Sequence, residues 1–370
     1  MASIPNLNSL RTGRRGPRLR GGRGGRAIPE NDDSSNVEAA EAGRDKIVQQ
    51  TDNDASSSRR SAVALGYLDD RHAKTFLAQG EQIVRRYPII NRGTYVRTTA
   101  IDNLVRRFLQ HEPKQRKQIV SLGAGSDTRF WRFSSEDASA SFAEVNYHEL
   151  DFEANVNQKR ASTRQSSSLS EITQKAEKKG WRYHLHALDL RTLTNKSPPP
   201  IPGLDPELPT LMLSECCLCY LPPDTAASVL QYFTMNLKGP LALALYEPIR
   251  PFDAFGKTMV SNLASRGIHL QTLKRYGSLE AQRQRLRLAG FGEGQGARDV
   301  SQLYESGEWV SPAERERVEK LEWLDEVEEW KLLASHYCVA WGWKGEGFGE
   351  AWQGLEGSRT RDEDRDEGMG

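Results

Sequence analysis

The sequence predicts a doubly wound α/β domain, and three observations support this fold class. From Gln118 onward, short apolar runs alternate with polar, helix-patterned stretches, which is typical of parallel strands joined by helices. The first run ends on a Gly-Ala-Gly-Ser-Asp-Thr turn at residues 123–128, and such a turn lets a ligand approach backbone amides at a helix N-terminus. Acidic residues follow the next strands where each strand should end.

The individual elements follow from the spacing of apolar residues. Cap-type residues at 54–60 precede a helical pattern, so the ordered domain should begin near residue 51. A helix is predicted over 98–110, before the breaker Glu112-Pro113, and a serine-rich insert at 162–170 should lengthen a loop. The predicted strands are 118–122, 146–150, 183–187, 210–214 and 241–246, followed by a charged helix at 315–330 and a late strand at 336–343.

Composition divides the chain into one domain and two tails. Residues 1–27 contain seven arginines and no acid, and the C-terminus is acidic. We therefore expect disordered tails at 1–50 (Arg/Gly-rich) and 346–370, around a domain at 51–345. The net charge of +1 predicts neither a nucleic acid nor a membrane partner.

Cysteine usage and hydropathy bear on the compartment. Cys216, Cys217 and Cys219 lie in one apolar segment and Cys338 in another, which fits neither a disulfide framework nor a zinc site, so no metal is expected. We interpret all four as reduced core residues. With no apolar stretch of roughly 20 residues and no secretory signal, the sequence predicts a soluble monomer of the cytosol or nucleus.

Three acids at strand ends predict a ligand site. Asp151, Asp189 and Glu215 each follow a predicted strand, and the carboxyl ends of parallel strands meet at one crevice. Asp151 is placed to accept from both hydroxyls of a ribose, while Asp189 should lie near an adenine amino group and Glu215 near the amino group of a methionine moiety. Taken singly, each acid could equally be a solvated strand end or a helix cap.

A nicotinamide dehydrogenase uses a similar turn, but two features favour S-adenosylmethionine. Thr128 stands where the third glycine of a dinucleotide fingerprint is expected, and the chain has no Tyr-x-x-x-Lys pair. Acids also suit a cationic sulfonium. Arg97 and Arg59 are candidates for binding the carboxylate of the cofactor.

Several segments resemble leucine carboxyl methyltransferases in sequence and order. They are residues 92–98, 122–132, 149–152, 187–191, 214–221, 246–256, 278–280, 321–326 and 336–338, so the resemblance covers about 54–343. It implies a class I S-adenosylmethionine-dependent methyltransferase of Rossmann-like fold, with an added helical N-terminal segment and substrate-binding elaborations. It also implies methyl transfer to the C-terminal leucine carboxylate of type 2A protein phosphatase catalytic subunits, and hence a role in phosphatase regulation.

The resemblance also assigns residues to the cofactor. They are Arg59, Arg97, Gly123, Asp151, Asp189, Leu190 and Glu215. Tyr220 and Tyr246, just beyond strand ends, are candidates for the acceptor pocket, with core packing as the alternative. The family often has Asp-Pro where this chain reads Asp69-Asp70-Arg71, a departure expected to stay clear of the pocket.

The implied acceptor sets the expected mechanism. An α-carboxyl group has a pKa of roughly 3.3 to 3.7, so it is ionised and needs no general base. Two alternatives stay open at this point: methyl transfer to a small-molecule carboxylate or hydroxyl, and a scaffold that binds phosphatase without turnover.

Overall fold

The computed structural model describes residues 33–76, 83–136, 144–352, 354–355 and 357–360. Eight strands form one sheet: β1 Lys117–Leu122, β2 Val145–Asp151, β3 Arg182–Ala187, β4 Thr210–Glu215, β5 Leu241–Pro248, β6 Gly294–Asp299, β7 Tyr337–Lys344 and β8 Ser358–Thr360. The first six helices are α1 Asp33–Ala64, α2 Pro88–Gln110, α3 Arg129–Ser134, α4 Glu153–Gln165, α5 Ser167–Lys178 and α6 Pro223–Asn236. The other six are α7 Ala254–Ser265, α8 Leu279–Leu288, α9 Val300–Glu305, α10 Pro312–Glu319, α11 Val327–Ala334 and α12 Phe348–Trp352.

The strand order places the ends of β1, β2 and β4 side by side. The order is β3-β2-β1-β4-β5-β7-β6-β8, with the first five strands parallel and β7, β6 and β8 antiparallel to their neighbours. Leu122 at the end of β1 pairs with Leu150 and Ser214. From β1 the chain continues to β2 on one side of it and later returns to β4 on the other side. The crevice beyond these strand ends is therefore a topological switch point, where ligands of open α/β sheets bind.

Alternate side chains of the buried strands supply two cores. Ile119 and Leu211 belong to a cluster that includes α2 and the aromatic residues of α3. Their neighbours Val120 and Met212 belong to a second cluster, with α6, on the opposite face. This two-sided burial explains why β4 and β5 are nearly continuous apolar runs rather than alternating ones. It confirms the predicted doubly wound α/β sheet.

Two local predictions were wrong. The helix expected at 315–330 is interrupted between α10 and α11, where the buried carboxylate of Glu322 accepts hydrogen bonds from Arg85 and Asn91 and holds the chain in a turn. The serine-rich insert is helical rather than a loop, because Ser166 ends α4 and caps α5 by accepting from the Leu169 N–H.

The expected tail boundaries at residues 50 and 346 also need correction. α1 already begins at Asp33 and its Ile47 packs against Gly267, while α12 and β8 lie beyond residue 346 and bury Trp352 completely. Both segments are rich in charged residues, so their composition suggested disordered tails. Each nevertheless carries apolar side chains that pack on the domain. The remainder of both predicted tails, 1–32 and 361–370, lies outside the described residues. Within the described part, no helix is long and apolar enough to cross a bilayer.

Candidate functional site

The glycine turn after β1 is closely covered by neighbouring residues. Gly123 and Gly125 adopt φ values of +61° and +48°, which favour glycine. A Cβ on Gly123 would lie 2.6 Å from the Cys217 Sγ, and one on Gly125 would lie 2.2 Å from the Asp52 Oδ1. Glycine is therefore required at both positions for the backbone angle, and a side chain at either would in addition push the end of the Cys217 or Asp52 side chain aside.

Asp151, at the end of β2, is bonded directly to this turn. Its carboxylate accepts from the N–H groups of Gly125 and Phe152, both at 2.7 Å, and from the Asn155 amide at 3.0 Å. Burial raises the pKa of Asp151 despite these three hydrogen bonds, which act to lower it. The predicted approach of Asp151 to the glycine turn is present in the structure.

Glu215, at the end of β4, lies between two guanidinium groups. Arg97 donates from Nε to Oε2 at 2.7 Å, and Arg129 donates from Nη1 to Oε1. Burial would raise the pKa of Glu215, but the charges of Arg129 and Arg97 outweigh it and the pKa is lowered. Arg97 also lies over the ring of Tyr246, 4.6 Å from its centroid. Arg97 and Glu215, which the sequence predicted separately as partners of the cofactor's carboxylate and amino group, are therefore paired with each other in the structure.

Asp189 binds Arg191 rather than the glycine turn. It caps the 3-10 helix Leu190–Thr194 by accepting from the Arg191 N–H at 2.9 Å, and the Arg191 side chain donates to it from Nε and Nη2. The same guanidinium donates from Nη1 to Asp45 of α1 at 3.1 Å. Leu190 is buried in the apolar cluster beneath. These residues lie at the β3 side of the crevice, two strands from β1.

Arg59 reaches the end of the glycine turn through Asp70. Its Nη1 lies 3.2 Å from the Asp70 Oδ2, and that same oxygen accepts from the Thr128 hydroxyl at 2.6 Å. Asp70 is buried. The expectation that the departure at residues 69–71 stays clear of the pocket is therefore wrong, because Asp70 bridges Arg59 and the residue that ends the turn.

Three tyrosines, Tyr220, Tyr246 and Tyr337, form a group, and Tyr246 carries the contact with Arg97. Tyr246 is 8% exposed and stacks on Tyr337, with ring centroids 5.4 Å apart, while Tyr220 is half-buried at the end of the 3-10 helix Leu218–Tyr220. Burial raises the pKa of each of these phenols, so they remain neutral hydroxyl groups at physiological pH. Tyr337 was not predicted, because its position inside an apolar strand gave no sign that it would face Tyr246.

Comparisons with known proteins point to one family. Residues 47–234 match the family described as leucine carboxyl methyltransferase. A protein of Aspergillus fumigatus named Leucine carboxyl methyltransferase 1 is 50% identical over 396 residues, covering 96% of this chain and 98% of that protein. A protein of the same name from Emericella nidulans is 49% identical over 97% of this chain and 99% of its own length. The chain belongs to the leucine carboxyl methyltransferase family.

Membership in this family identifies the chain as an S-adenosylmethionine-dependent methyltransferase and confirms the predicted Rossmann-like class. A solved structure of a DUF574 family protein from Streptomyces avermitilis is also similar, at 14% identity and a TM-score of 0.46, over 78% of this chain and 97% of that one.

The crevice fits the cofactor of leucine carboxyl methyltransferases in two respects. The turn already binds an anion, since the N–H and the hydroxyl of Ser126 both donate to the Asp52 carboxylate. In addition, the Nη2 of Arg129 is buried without a hydrogen-bond partner in the part of the chain that the structure describes. A buried guanidinium nitrogen of this kind is suited to a carboxylate.

Sequence reasoning missed the charged groups that support this site. Arg129 is fully buried and donates to Asp102 at 2.7 Å and to Asp127 at 2.9 Å. Asp45 and Asp52 belong to a segment that was expected to be a tail or its boundary. No periodic signal could have identified them, because a polar residue on a helix is ordinarily solvated.

Proposed function

We propose that this chain transfers the methyl group of S-adenosylmethionine to the α-carboxylate of the C-terminal leucine of a type 2A protein phosphatase catalytic subunit, forming a methyl ester. The observation that carries the proposal is the similarity, over nearly the whole chain, to proteins whose name states leucine carboxyl methylation. The charge arrangement of the crevice supports it.

Each part of the cofactor has a suitable partner in the crevice. Asp151 would accept from the ribose hydroxyls, since a carboxylate can bridge a diol. Asp189 and Leu190 would contact the adenine, and Gly123 would offer its backbone. Three side chains remain for the methionine end: Arg97 and Arg59 for its carboxylate, and Glu215 for its amino group.

The three tyrosines suit an acceptor that is already ionised. When bound, the cofactor supplies an electrophilic methyl group on a sulfonium. The neutral hydroxyls of Tyr220 and Tyr337 can donate to a carboxylate, but as neutral phenols they are poor bases. A leucine α-carboxylate needs no base, because its pKa of roughly 3.3 to 3.7 leaves it ionised. The pocket then has to exclude water and orient one carboxylate oxygen toward the methyl carbon. Such positioning can lower the activation barrier by roughly 7 to 11 kcal/mol.

The interior position of Tyr246 refines its proposed role. It lies between Arg97 and Tyr337, so it supports the guanidinium through its ring face. We assign it a positioning role and leave direct contact with the acceptor to the more exposed Tyr220. The proposal also implies a monomer that meets the phosphatase in the cytosol or nucleus.

The test is a labelling experiment with matched acceptors. The protein is incubated with methyl-labelled S-adenosylmethionine and a phosphatase catalytic subunit with or without its terminal leucine. We expect label only on the complete subunit, and we expect mild base to release it, because a carboxyl ester hydrolyses whereas methylated nitrogen does not. Asp151→Asn should abolish most labelling, whereas the exposed Asp224→Asn should not.

Three outcomes would contradict the proposal. Equal labelling of both subunits would exclude the terminal carboxylate as acceptor. Labelling of a metabolite extract, with none of the phosphatase, would select a small-molecule carboxylate or hydroxyl instead. Cofactor binding without labelling of any acceptor would indicate a scaffold rather than an enzyme.

A further inference from the structure

A Cys-x-x-Cys motif lies at the base of the crevice. β4 ends at Glu215 and is followed at once by Cys216, Cys217 and the 3-10 helix Leu218–Tyr220, which contains Cys219. In dithiol redox proteins the same spacing occurs at the start of a helical turn that follows a parallel strand.

The two outer cysteines differ in access. Cys216 is half-buried, whereas Cys219 is fully buried, and the Cys-x-x-Cys turn places the two thiols close to each other. Cys216 also has a φ of +50°, a left-handed conformation that costs energy for a residue with a side chain. Cys217 points elsewhere, toward Gly123. Cys216 is therefore the sulfur that a small oxidant can reach, and Cys219 is positioned behind it.

The surroundings of Cys216 favour its thiolate. The neighbouring Cys219 thiol lowers the pKa of Cys216, and the charge of Arg97 lowers it further against the effect of burial. Burial raises the pKa of the other three cysteines, Cys217, Cys219 and Cys338. Among the four, reactivity toward an oxidant should thus concentrate at Cys216, because the thiolate is the reactive form.

We propose that Cys216 and Cys219 form a peroxide-sensitive dithiol whose disulfide weakens cofactor binding. The site of cofactor binding is the one given under the proposed function, and the second half of this inference rests on it. The Cys216 thiolate attacks one peroxide oxygen, the O–O bond breaks, and the departing hydroxide becomes water on gaining a proton. The Cys219 thiol then attacks the sulfenic sulfur, the S–O bond breaks, and a second water leaves. Two thiols and one hydrogen peroxide give one disulfide and two waters.

Closure of the disulfide acts on the cofactor contacts through the backbone. The Cys216 N–H donates to the Tyr246 carbonyl and the Cys219 carbonyl accepts from the Gln271 N–H, both at 2.8 Å. Drawing the sulfurs together to a covalent separation of about 2.05 Å pulls on this anchored turn, which is joined to Glu215 on one side and presses Cys217 against the glycine turn on the other. A cofactor carboxylate on Arg97 would conversely reduce the positive field at Cys216, so bound cofactor should protect the dithiol.

Peptide mass spectrometry provides a direct readout. The reduced full-length protein is treated with hydrogen peroxide, remaining thiols are alkylated, and the protein is digested with trypsin. Residues 197–238 contain no internal lysine or arginine, so one peptide carries Cys216, Cys217 and Cys219. We expect a disulfide in this peptide with Cys217 as the alkylated residue, and slower oxidation when S-adenosylhomocysteine is present. Three alkylated cysteines, or a pair that includes Cys217, would overturn the proposal.

Calorimetry tests the consequence. S-adenosylhomocysteine should bind the oxidised protein at least tenfold more weakly than the reduced protein, and dithiothreitol should restore binding. Equal affinity of the oxidised and the reduced protein would overturn the proposed effect of the disulfide on cofactor binding. Cys219→Ala should form no disulfide and should accumulate a sulfenic acid at Cys216 that dimedone traps, and Cys338→Ala should respond as wild type does. A reduced protein that fails to bind S-adenosylhomocysteine would contradict the proposed function. In that case the mass spectrometry result alone would show whether Cys216 and Cys219 form a disulfide.

Discussion

Asp52 of α1 covers the glycine turn, because its Oδ1 accepts from both the backbone N–H and the hydroxyl of Ser126, each at 2.8 Å. The same oxygen lies where a side chain on Gly125 would begin. The N-terminal helix is thus part of the crevice rather than an appendage to it. A ligand that uses these donors must first displace the Asp52 carboxylate.

Removing this carboxylate should therefore tighten the binding of S-adenosylhomocysteine. Asp52→Ala frees two donors whose hydrogen bonds have a net value of about 0.5 to 1.5 kcal/mol each, so we expect roughly a fivefold to hundredfold gain in affinity by calorimetry. S-adenosylhomocysteine is the appropriate ligand, since its neutral sulfur is not attracted by Asp52. Asp54→Ala is the control on the same helix, because Asp54 pairs with Arg86 and Arg266 instead. Unchanged or weaker binding by the Asp52 variant would contradict the displacement.

Asp151→Asn should weaken binding while leaving the fold intact. The amide keeps the size of the side chain but loses the charge that a ribose diol recognises, and a hydrogen bond to a charged group contributes about 1.5 to 3 kcal/mol. We expect a loss of affinity of roughly tenfold to a hundredfold, with an unchanged circular dichroism spectrum. Because burial raises the pKa of Asp151, wild-type affinity should fall on acidification at a higher pH than an ordinary aspartate would give. Asp224→Asn, whose side chain is 94% exposed, should bind as wild type does.

Arg129→Gln should unfold more easily than wild type. Its guanidinium contacts Asp102, Asp127 and Glu215 in the interior, and removal of one partner from a buried ionic group leaves uncompensated charge, at a cost of about 3 to 5 kcal/mol. Urea unfolding measures the change. The matched control is Arg107→Gln, which breaks a partly exposed pair with Glu308 and should cost less than about 1 kcal/mol. Similar losses for both variants would refute the central position of Arg129.

The parallel half of this sheet was predictable because β1, β2, β4 and β5 are buried along nearly their whole length. Runs such as residues 118–122 are typical of strands inside a parallel sheet, and Asp151 and Glu215 follow their strands at once, so the sequence alone indicated the position of the crevice. β6 shows the limit. Gly294 and Gly296 leave room for the rings of Trp343 and Trp341, so this strand carries little apolar pattern of its own.

The part of the site that sequence could not supply comes from long-range charge pairing. Arg191 joins Asp189 to Asp45, which is 146 residues away from it, and local pattern contains no information on such distances. Composition was a poor guide to the N-terminal domain boundary, because it also contains no information on long-range contacts. The segment that contains Asp45 and Asp52 is polar enough to be a tail, and its contacts with Arg191, Ser126 and Gly267 show that it is part of the domain.

A buried histidine should make the protein sensitive to acid. The fully buried ring of His148 stacks on His184 and lies 3.0 Å from a nitrogen of His186. Burial, with smaller contributions from these two neighbours, lowers the pKa of His148 to about 3, against an ordinary value of about 6.5. The unfolded chain then binds more protons between these values, so stability is complete above about pH 6.5 and falls as the pH decreases.

The expected loss at pH 5 from His148 alone is about 2 kcal/mol. Urea unfolding at pH 7 and pH 5 should show it, and His148→Gln should reduce the difference between the two pH values by that amount. His269 is exposed, so His269→Gln should retain the wild-type difference. A difference between the two pH values that is undiminished in the His148 variant would assign the acid sensitivity to another group.

The C-terminal segment should contribute to stability through Trp352. Its side chain is completely buried, its indole N–H donates to the Leu104 carbonyl at 3.2 Å, and its ring meets Phe348 at 5.2 Å between centroids. Trp352→Ala should therefore cost about 3 to 5 kcal/mol in urea unfolding. Trp323 offers a control of the same residue type, since it is 85% exposed and its replacement by alanine should change stability by at most about 0.5 kcal/mol. If both variants lost equally little, residues beyond 346 would be the dispensable tail that composition suggests, whereas a large loss confined to Trp352 would show that the domain ends at or beyond α12.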